Sequence, residues 1–315
     1  MTPTPTDAIL ATRHSNGDGG RMTARIIDGN AIAEAVRADV AREVAELVAS
    51  GRPVPKLAVI LVGDDPASHV YVRMKERDAE AVGMQSEAVR LPAATPHAEV
   101  LAHLRRLNDD PSVSGLFMQL PVPDQVDDNE VIEAINPLKD ADGLTEASLG
   151  MLVQGKAVHT PATPTGVVEM LRREGIETRG AHVVIVGRSL LVGRPLALLM
   201  SDRAVNATVT VAHTGTKDLG AVTRTADILI AAMGVPKAIT ANMIRPGATV
   251  IDVGTTQVGT TPKGRALLSG DVDYEAALEV AGAITPVPGG VGPMTRAMLL
   301  VNTLKAAKIL AGESK

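Results

Sequence analysis

Apolar residues fall into two kinds of run along this chain. From 31 to 48 they recur at helical spacing, and Ser50-Gly51-Arg52-Pro53 stops the run. From 56 to 62 they are continuous and short, the mark of a strand buried on both faces. Asp65 and Pro66 then supply the N-cap and first-turn proline of a helix. Its predicted apolar stripe is Ala67, Val70, Tyr71, Met74, Ala81 and Val82, and Gly83 ends it. A strand over 88–91, a helix over 97–108 and a third buried strand over 113–120 follow, running into Pro121-Val122-Pro123. Strands alternating with helices imply a mostly parallel sheet.

A second alternating series predicts strands over 182–186, 208–212, 227–231 and 249–253, with helices around 195–200 and 219–223. That spacing fits repeated βαβ units of a doubly wound fold. The stretch from 144 to 179, with Pro161, Pro164 and a helix over 166–173, joins the halves, and a last helix runs from Pro293 to about 310. Residues 1–22 differ from the rest. Their Thr-Pro repeat and Ser15-Asn16-Gly17-Asp18-Gly19-Gly20 read as a disordered extension on a cytoplasmic protein, and they contain no hydrophobic segment of a secretory signal.

Composition narrows the chemistry. The 315 residues suit about two domains. Lys+Arg 31 against Asp+Glu 36 leaves a net charge of −5, which argues against a nucleic-acid partner. Phe117, Tyr71 and Tyr274 are the whole aromatic complement, so no base-stacking platform exists and the core must be aliphatic. Without Cys, thiol nucleophiles and Cys-based metal sites are excluded, and the seven His show no metal-binding spacing. No apolar run is long enough to span a membrane.

Five motifs carry candidate chemistry. Gly187-Arg188-Ser189-Leu190-Leu191-Val192-Gly193-Arg194-Pro195 follows a strand and opens a helix. Glycines there let backbone approach a phosphate, and the helix N-terminus offers N–H groups and partial positive charge. A plain βα turn is the alternative. The second strand of that unit ends Ala212-His213-Thr214 without the carboxylate that binds a ribose hydroxyl, which leans toward a 2′-phosphate and so toward NADP over NAD. Tyr71 and Lys75, four apart on a helix, share one face and can converge on one ligand; otherwise they are a half-buried Tyr beside a solvated Lys. Tyr-x-x-x-Lys also occurs in short-chain dehydrogenases, but there it lies downstream of the dinucleotide site, and here it precedes it. Gln119-Leu120-Pro121 ends a strand, where open α/β sheets bind ligands, unless it is a simple turn. In Lys139-Asp140-Ala141-Asp142-Gly143 two carboxylates lie near a turn: they cap a helix, or one accepts paired N–H donors from an aminopyrimidine-like ring, and spacing does not decide. Finally, Pro286 to Thr295 packs Pro288, Gly289, Gly290, Val291 and Gly292 into a loop that presses its backbone on a flat ligand or serves as an interdomain turn.

In this order the segments resemble the bifunctional methylenetetrahydrofolate dehydrogenase/methenyltetrahydrofolate cyclohydrolase family. The stretches are VILVGDDPASHVYVRMK (59–75), QLPVP (119–123), KDADG (139–143), TPTG (163–166), GRSLLVGRP (187–195) and PGGVGPMT (288–295). The resemblance implies two α/β domains with a cleft between them, the second a Rossmann-like doubly wound parallel sheet. It implies a folate-binding catalytic domain over 23–145 plus 293–315, an NADP-binding domain over 146–292, and a homodimer. It makes Lys75 the catalytic lysine, Tyr71 the residue that packs on the pterin, Gln119 the group tuning the lysine, and Asp142 the carboxylate on the pterin edge. Leu120, Pro288, Gly289, Gly290, Val291 and Gly292 also meet tetrahydrofolate derivatives, while Gly187, Arg188, Ser189, Gly193, Thr214 and Thr255 hold NADP. The chain departs from the family pattern at Leu144-Thr145-Glu146, His213-Thr214-Gly215-Thr216-Lys217 and Thr255-Thr256-Gln257; the last two bear on the choice between NADP and NAD. Rival readings are another two-domain NADP dehydrogenase of the shikimate type, and a folate-binding protein without catalysis.

Overall fold

The computed structural model describes residues 23–261 and 266–312; the expected extension at 1–22 lies outside them. The chain opens with β1 (Arg25–Ile26), α1 (Gly29–Ala49), β2 (Lys56–Val62), α2 (Pro66–Ala81), β3 (Gln85–Leu91), α3 (His97–Asp109), β4 (Gly115–Gln119) and a short α4 (Asp128–Glu133). Strands β2 to β4 form a parallel sheet in the order β3-β2-β4. Helices α5 (Glu146–Val153) and α6 (Ala162–Arg173) lead into β5 (His182–Val186), α7 (Gly193–Ser201), β6 (Thr208–Ala212), α8 (Leu219–Thr223), β7 (Ile228–Ala231) and β8 (Thr249–Asp252). An antiparallel hairpin of β9 (Thr256–Thr260) and β10 (Ala266–Ser269), then α9 (Tyr274–Ala277), β11 (Ala283–Ile284) and α10 (Val291–Leu310), complete the chain. The second sheet runs β1-β11-β8-β7-β5-β6, every neighbouring pair parallel. The protein is a two-domain α/β structure.

Both buried strand runs form as expected. β2 is buried from Leu57 to Val62 and β5 from Val183 to Val186. Other elements differ from the sequence reading. β3 starts at Gln85 rather than at 88, because it is an edge strand whose first residues, Gln85, Ser86 and Glu87, stay polar. β1 precedes the first helix yet joins the far edge of the second sheet; two residues are too few to carry a period. α4, α5, the hairpin, α9 and β11 are short for the same reason and went unforeseen.

The face of α2 is the correction that matters most. Asp65 caps it as expected, accepting from the Ser68 N–H at 2.8 Å. Its buried residues are Ser68, Val72 and Ala79, whereas Val70 and Tyr71 are exposed. That buried row, spaced four and then seven, passes through position 75. Lys75 therefore points inward along the row that packs on the sheet, not along the predicted apolar stripe.

α10 is the hub. It is buried almost all round, from Val291 and Met294 to Leu304 and Ala307, as a central helix must be. β4 crosses it closely, since a Cβ on Gly115 would lie 2.5 Å from Thr303 Oγ1. Asn302 Nδ2 donates to Ala141 O at 2.8 Å and to Thr160 O at 3.0 Å. One hydrophobic core, aliphatic except for Phe117 and including Val59, Val72, Met170, Ile185 and Leu299, runs through both halves.

Candidate functional site

A cleft of about 300 Å³ opens at the carboxyl ends of both sheets. The first half contributes Lys75, Met118, Gln119, Leu120, Asp142 and Leu144; the second contributes Leu191, Val192, Val253 and Thr255. Ala162 and Thr163 at the start of α6, with Val291, Gly292 and Thr295 at the start of α10, line it between them.

Three side chains define its floor. Gln119 Nε2 donates to Leu120 O at 2.7 Å, which turns its Oε1 toward α2. Lys75 Nζ donates to that Oε1 at 3.1 Å and sits 4.0 Å above the Phe117 ring centroid. Burial pushes the Lys75 ammonium below the usual lysine range; Asp142 opposes that shift and Arg296 adds to it. Burial also raises the Asp142 carboxyl to about 6, an effect that Lys75 partly offsets and Asp140 reinforces.

The two aspartates divide their tasks. Asp140 is buried and accepts from the N–H groups of Gly143 (2.8 Å) and Thr145 (2.9 Å) and from the hydroxyls of Thr145 (2.9 Å) and Ser148 (2.8 Å). It fixes the turn and the start of α5. Gly143 has φ +70°, and a Cβ there would lie 2.5 Å from the Thr160 carbonyl carbon. This turn leaves Asp142 facing the cleft. Tyr71 stands one turn before Lys75, 41% exposed and outside the lining of the cleft.

The proline–glycine loop is used in two ways. A Cβ on Gly29 would lie 1.8 Å from Gly290 O, one on Gly289 would meet Asn30 Nδ2 at 2.9 Å, and one on Gly290 would meet Pro286 O at 2.5 Å. Gly289 and Gly290 thus serve close packing on the first turn of α1. Of the five loop residues named from sequence, Val291 and Gly292 line the cleft, and nothing lies within 4 Å of a Cβ built on Gly292.

The turn after β5 lies where the second sheet changes winding direction, since β6 and β7 flank β5. Gly187 has φ +136°, and a Cβ there would lie 2.1 Å from Ala232 O; one on Gly193 would lie 2.2 Å from Gly187 O. Ser189 Oγ accepts from the N–H groups of Val192 (3.1 Å) and Gly193 (3.4 Å) and so closes the turn. Arg188, Ser189 and Arg194 are exposed. Thr214 is exposed in the turn after β6, where Thr216 Oγ1 accepts from the His213 N–H at 3.0 Å. Two buried carboxylates brace the neighbouring loops. Asp252 accepts from the N–H groups of Gly254, Asp271 and Val272, each at 2.9 Å, and Asp271 from those of Met233 (2.5 Å) and Gly234 (3.0 Å).

Sequence reasoning missed Leu144, Leu191, Val192, Val253 and Thr295 as lining residues. It also missed the contact between Thr163 Oγ1 and Thr295 Oγ1 at 2.9 Å. Each threonine sits in a motif already quoted, so the motif edges were the available signal.

A glycine turn at the switch point of a parallel sheet, facing a half-buried Lys–Gln–Asp cluster across one cleft, defines a two-domain dinucleotide-dependent enzyme. Two family models match: "Tetrahydrofolate dehydrogenase/cyclohydrolase, catalytic domain" over residues 27–142, and "Tetrahydrofolate dehydrogenase/cyclohydrolase, NAD(P)-binding domain" over residues 161–311. The chain belongs to the tetrahydrofolate dehydrogenase/cyclohydrolase family. It is 53% identical over 293 residues to the bifunctional protein FolD of Dehalococcoides mccartyi, covering 92% of this chain and 99% of that one. Among solved structures it is similar to the 5,10-methylenetetrahydrofolate dehydrogenase of the silkworm Bombyx mori (TM-score 0.86, 43% identity, 92% and 100% covered). It is equally similar to the methylenetetrahydrofolate dehydrogenase-cyclohydrolase of Trypanosoma brucei complexed with NADP and an inhibitor (TM-score 0.86, 38% identity, 92% and 99% covered).

Proposed function

We propose that the chain oxidises 5,10-methylenetetrahydrofolate to 5,10-methenyltetrahydrofolate with NADP and hydrolyses that product to 10-formyltetrahydrofolate, both in the cleft around Lys75. The observation that carries this reading is the Lys75–Gln119–Asp142 cluster facing the β5 turn in a chain of this family. Asp142 accepts the amino-pyrimidine N–H groups of the pterin, Tyr71 packs on it, and Leu120 with Val291 and Gly292 shapes the cleft. Pro288, Gly289 and Gly290 support that loop from outside it. Residues 23–145 with 293–315 bind folate; residues 146–292 bind the dinucleotide. We further propose a homodimer acting in the cytoplasm. Among the described residues no helix is long and apolar enough to cross a membrane.

The β5 turn fits NADP. Missing Cβ atoms at Gly187 and Gly193 let the backbone fold tightly there, α7 presents its N-terminus, and Arg188 adds charge toward a 2′-phosphate. Ser189, Thr214 and Thr255 supply hydroxyls around it. When bound, NADP supplies the hydride acceptor. In that step the chain's own work is alignment of the methylene carbon and exclusion of water.

Hydrolysis asks more of the protein. A water oxygen bonds to the methenyl carbon and gives up one proton; the bond from that carbon to N5 breaks and N5 gains a proton, while the remaining hydroxyl proton leaves to solvent as the formyl C=O forms. Lys75, whose ammonium form burial disfavours and which Gln119 orients, takes the first proton and returns it at N5. Lys75→Met keeps the stem and removes the amine. Methenyl hydrolysis, corrected for the spontaneous rate, should fall by about 10²–10⁴-fold while NADPH formation is partly retained. Hydrolysis at the wild-type rate would return Lys75 to an ordinary solvated lysine.

A further inference from the structure

At the carboxyl end of β8 the chain leaves the second sheet, forms the β9–β10 hairpin and comes back at Gly270-Asp271. Two buried carboxylates, Asp252 and Asp271, stand at the hairpin's base. Asp252 Oδ1 accepts from the N–H groups of the outgoing Gly254 and the returning Asp271, each at 2.9 Å, and its Oδ2 accepts from that of Val272 at 2.9 Å. Asp271 Oδ2 carries the tie on to the loop after β7, where it accepts from the N–H groups of Met233 and Gly234. The fit is close. A Cβ on Gly254 would lie 2.4 Å from Asp271 Oδ1, and one on Gly270 would lie 2.0 Å from Asp252 Oδ2. Hydrogen bonds to carboxylates are stronger and shorter than those between neutral groups, so they fix the backbone that makes them. The backbone fixed here carries Val253 and Thr255, on either side of Gly254, and both line the cleft.

That wall faces the reacting end of the cleft, which Lys75, Gln119 and Asp142 line from the other side. Hydride transfer needs the two carbons about 3–3.5 Å apart, so the nicotinamide ring belongs beside the folate rather than out at the β5 turn. On the dinucleotide side the cleft is lined by Leu191 and Val192, from that turn, and by Val253 and Thr255. We propose that Asp252 and Asp271 are positioning residues for hydride transfer: together they fix the wall at 253–255 against which the nicotinamide ring is aligned. The grip on the phosphates is built separately. The hydrogen bonds that close the β5 turn join Ser189 to Val192 and Gly193 and involve neither carboxylate.

The inference rests on the reading of this half as the NADP site, and the test separates the two. Asp252→Asn leaves one oxygen where three N–H groups had two. Asp271→Asn keeps an oxygen for Met233 and Gly234 and serves if the first variant does not fold. The probes are NADP and adenosine 2′,5′-bisphosphate, which carries the adenine and the 2′-phosphate of NADP but no nicotinamide. In the folded variant the Kd for NADP should rise about tenfold, while that for the bisphosphate stays within about twofold of the wild type. At saturating NADP the kcat of oxidation should fall by about 10–10²-fold, the cost of a misplaced reactant. Methenyl hydrolysis, which uses no dinucleotide, should stay within about twofold. Parallel losses in NADP binding, bisphosphate binding and hydrolysis would make the pair a general prop of the fold. NADP binding and oxidation at wild-type values would free the wall from the pair. Either result overturns the inference. If the bisphosphate does not compete with NADP on the wild type, the NADP site at the β5 turn itself falls, and this inference falls with it.

Discussion

Asp142 is a half-buried carboxylate at the cleft whose charged form burial disfavours, and it accepts no hydrogen bond from the described residues. Its ordinary value of 3.8 rises to about 6, burial being the main cause. At pH below about 4 both the folded and unfolded states hold the proton, and the group costs nothing. As pH rises from about 4 through about 6 the unfolded state ionises first, so the folded state loses stability on the order of 1–3 kcal/mol. Asp142→Asn should therefore stabilise the ligand-free protein at neutral pH and leave it unchanged near pH 4, as urea melts at the two pH values will show. On the proposed role at the pterin edge, the same change also removes a charged acceptor, and folate binding measured by titration should weaken by about 1–3 kcal/mol. A variant that is less stable at neutral pH, with folate affinity intact, would make Asp142 a structural residue like Asp140. Nothing in the spelling Asp140-Ala141-Asp142-Gly143 tells the two apart. The hydroxyls and N–H groups that claim Asp140 are positioned by the fold of the turn.

Elements make the glycines unequal. At Gly187 an Ala side chain would strike the Ala232 carbonyl just past the paired ends of β5 and β7, in a backbone conformation that L-residues avoid. Gly187→Ala should cost about 2 kcal/mol or more in stability and most of the NADP affinity. Gly292→Ala meets open space and faces the cleft; its melting curve should match the wild type while KM for folate rises. Similar losses of stability at the two positions would contradict this division. On the same turn, and on its proposed role toward the 2′-phosphate, the exposed Arg188 gives a clear expectation: Arg188→Ala should raise KM for NADP far more than for NAD, which lacks that group. Equal losses with both cofactors would remove Arg188 from that role. These βα turns were legible because glycine at the end of a buried strand has few other uses. The loop of 288–292 was read less well. Its glycines pack partly against α1, 260 or so residues earlier in the chain, and no local pattern records that contact.

For the whole molecule, α10 decides how the cleft is held. Asn302 ties the last helix to Ala141 and Thr160, on either side of the segment that carries Asp142. Asn302→Ala leaves one buried and one half-buried carbonyl without that donor, for about 1–3 kcal/mol of stability. Because Ala141 precedes Asp142 directly, KM for folate should rise in the same variant with KM for NADP little changed. A stability loss without any change in folate kinetics would limit Asn302 to packing.

The alternation of strands and helices, β5, β6 and α8 to the residue, the glycine turn after β5 and the residue types of the cleft were all written in the sequence. Local backbone geometry imposes periods, caps and turn residues that neighbouring positions display. Tertiary structure alone decided that the row of α2 facing the core passes through Lys75, that Asp140 is consumed by a turn while Asp142 faces the cleft, and that Arg296 meets Asp78 from 218 residues away. The charge state of a side chain depends on what packing brings beside it and how much water it leaves, and neither quantity has a local period.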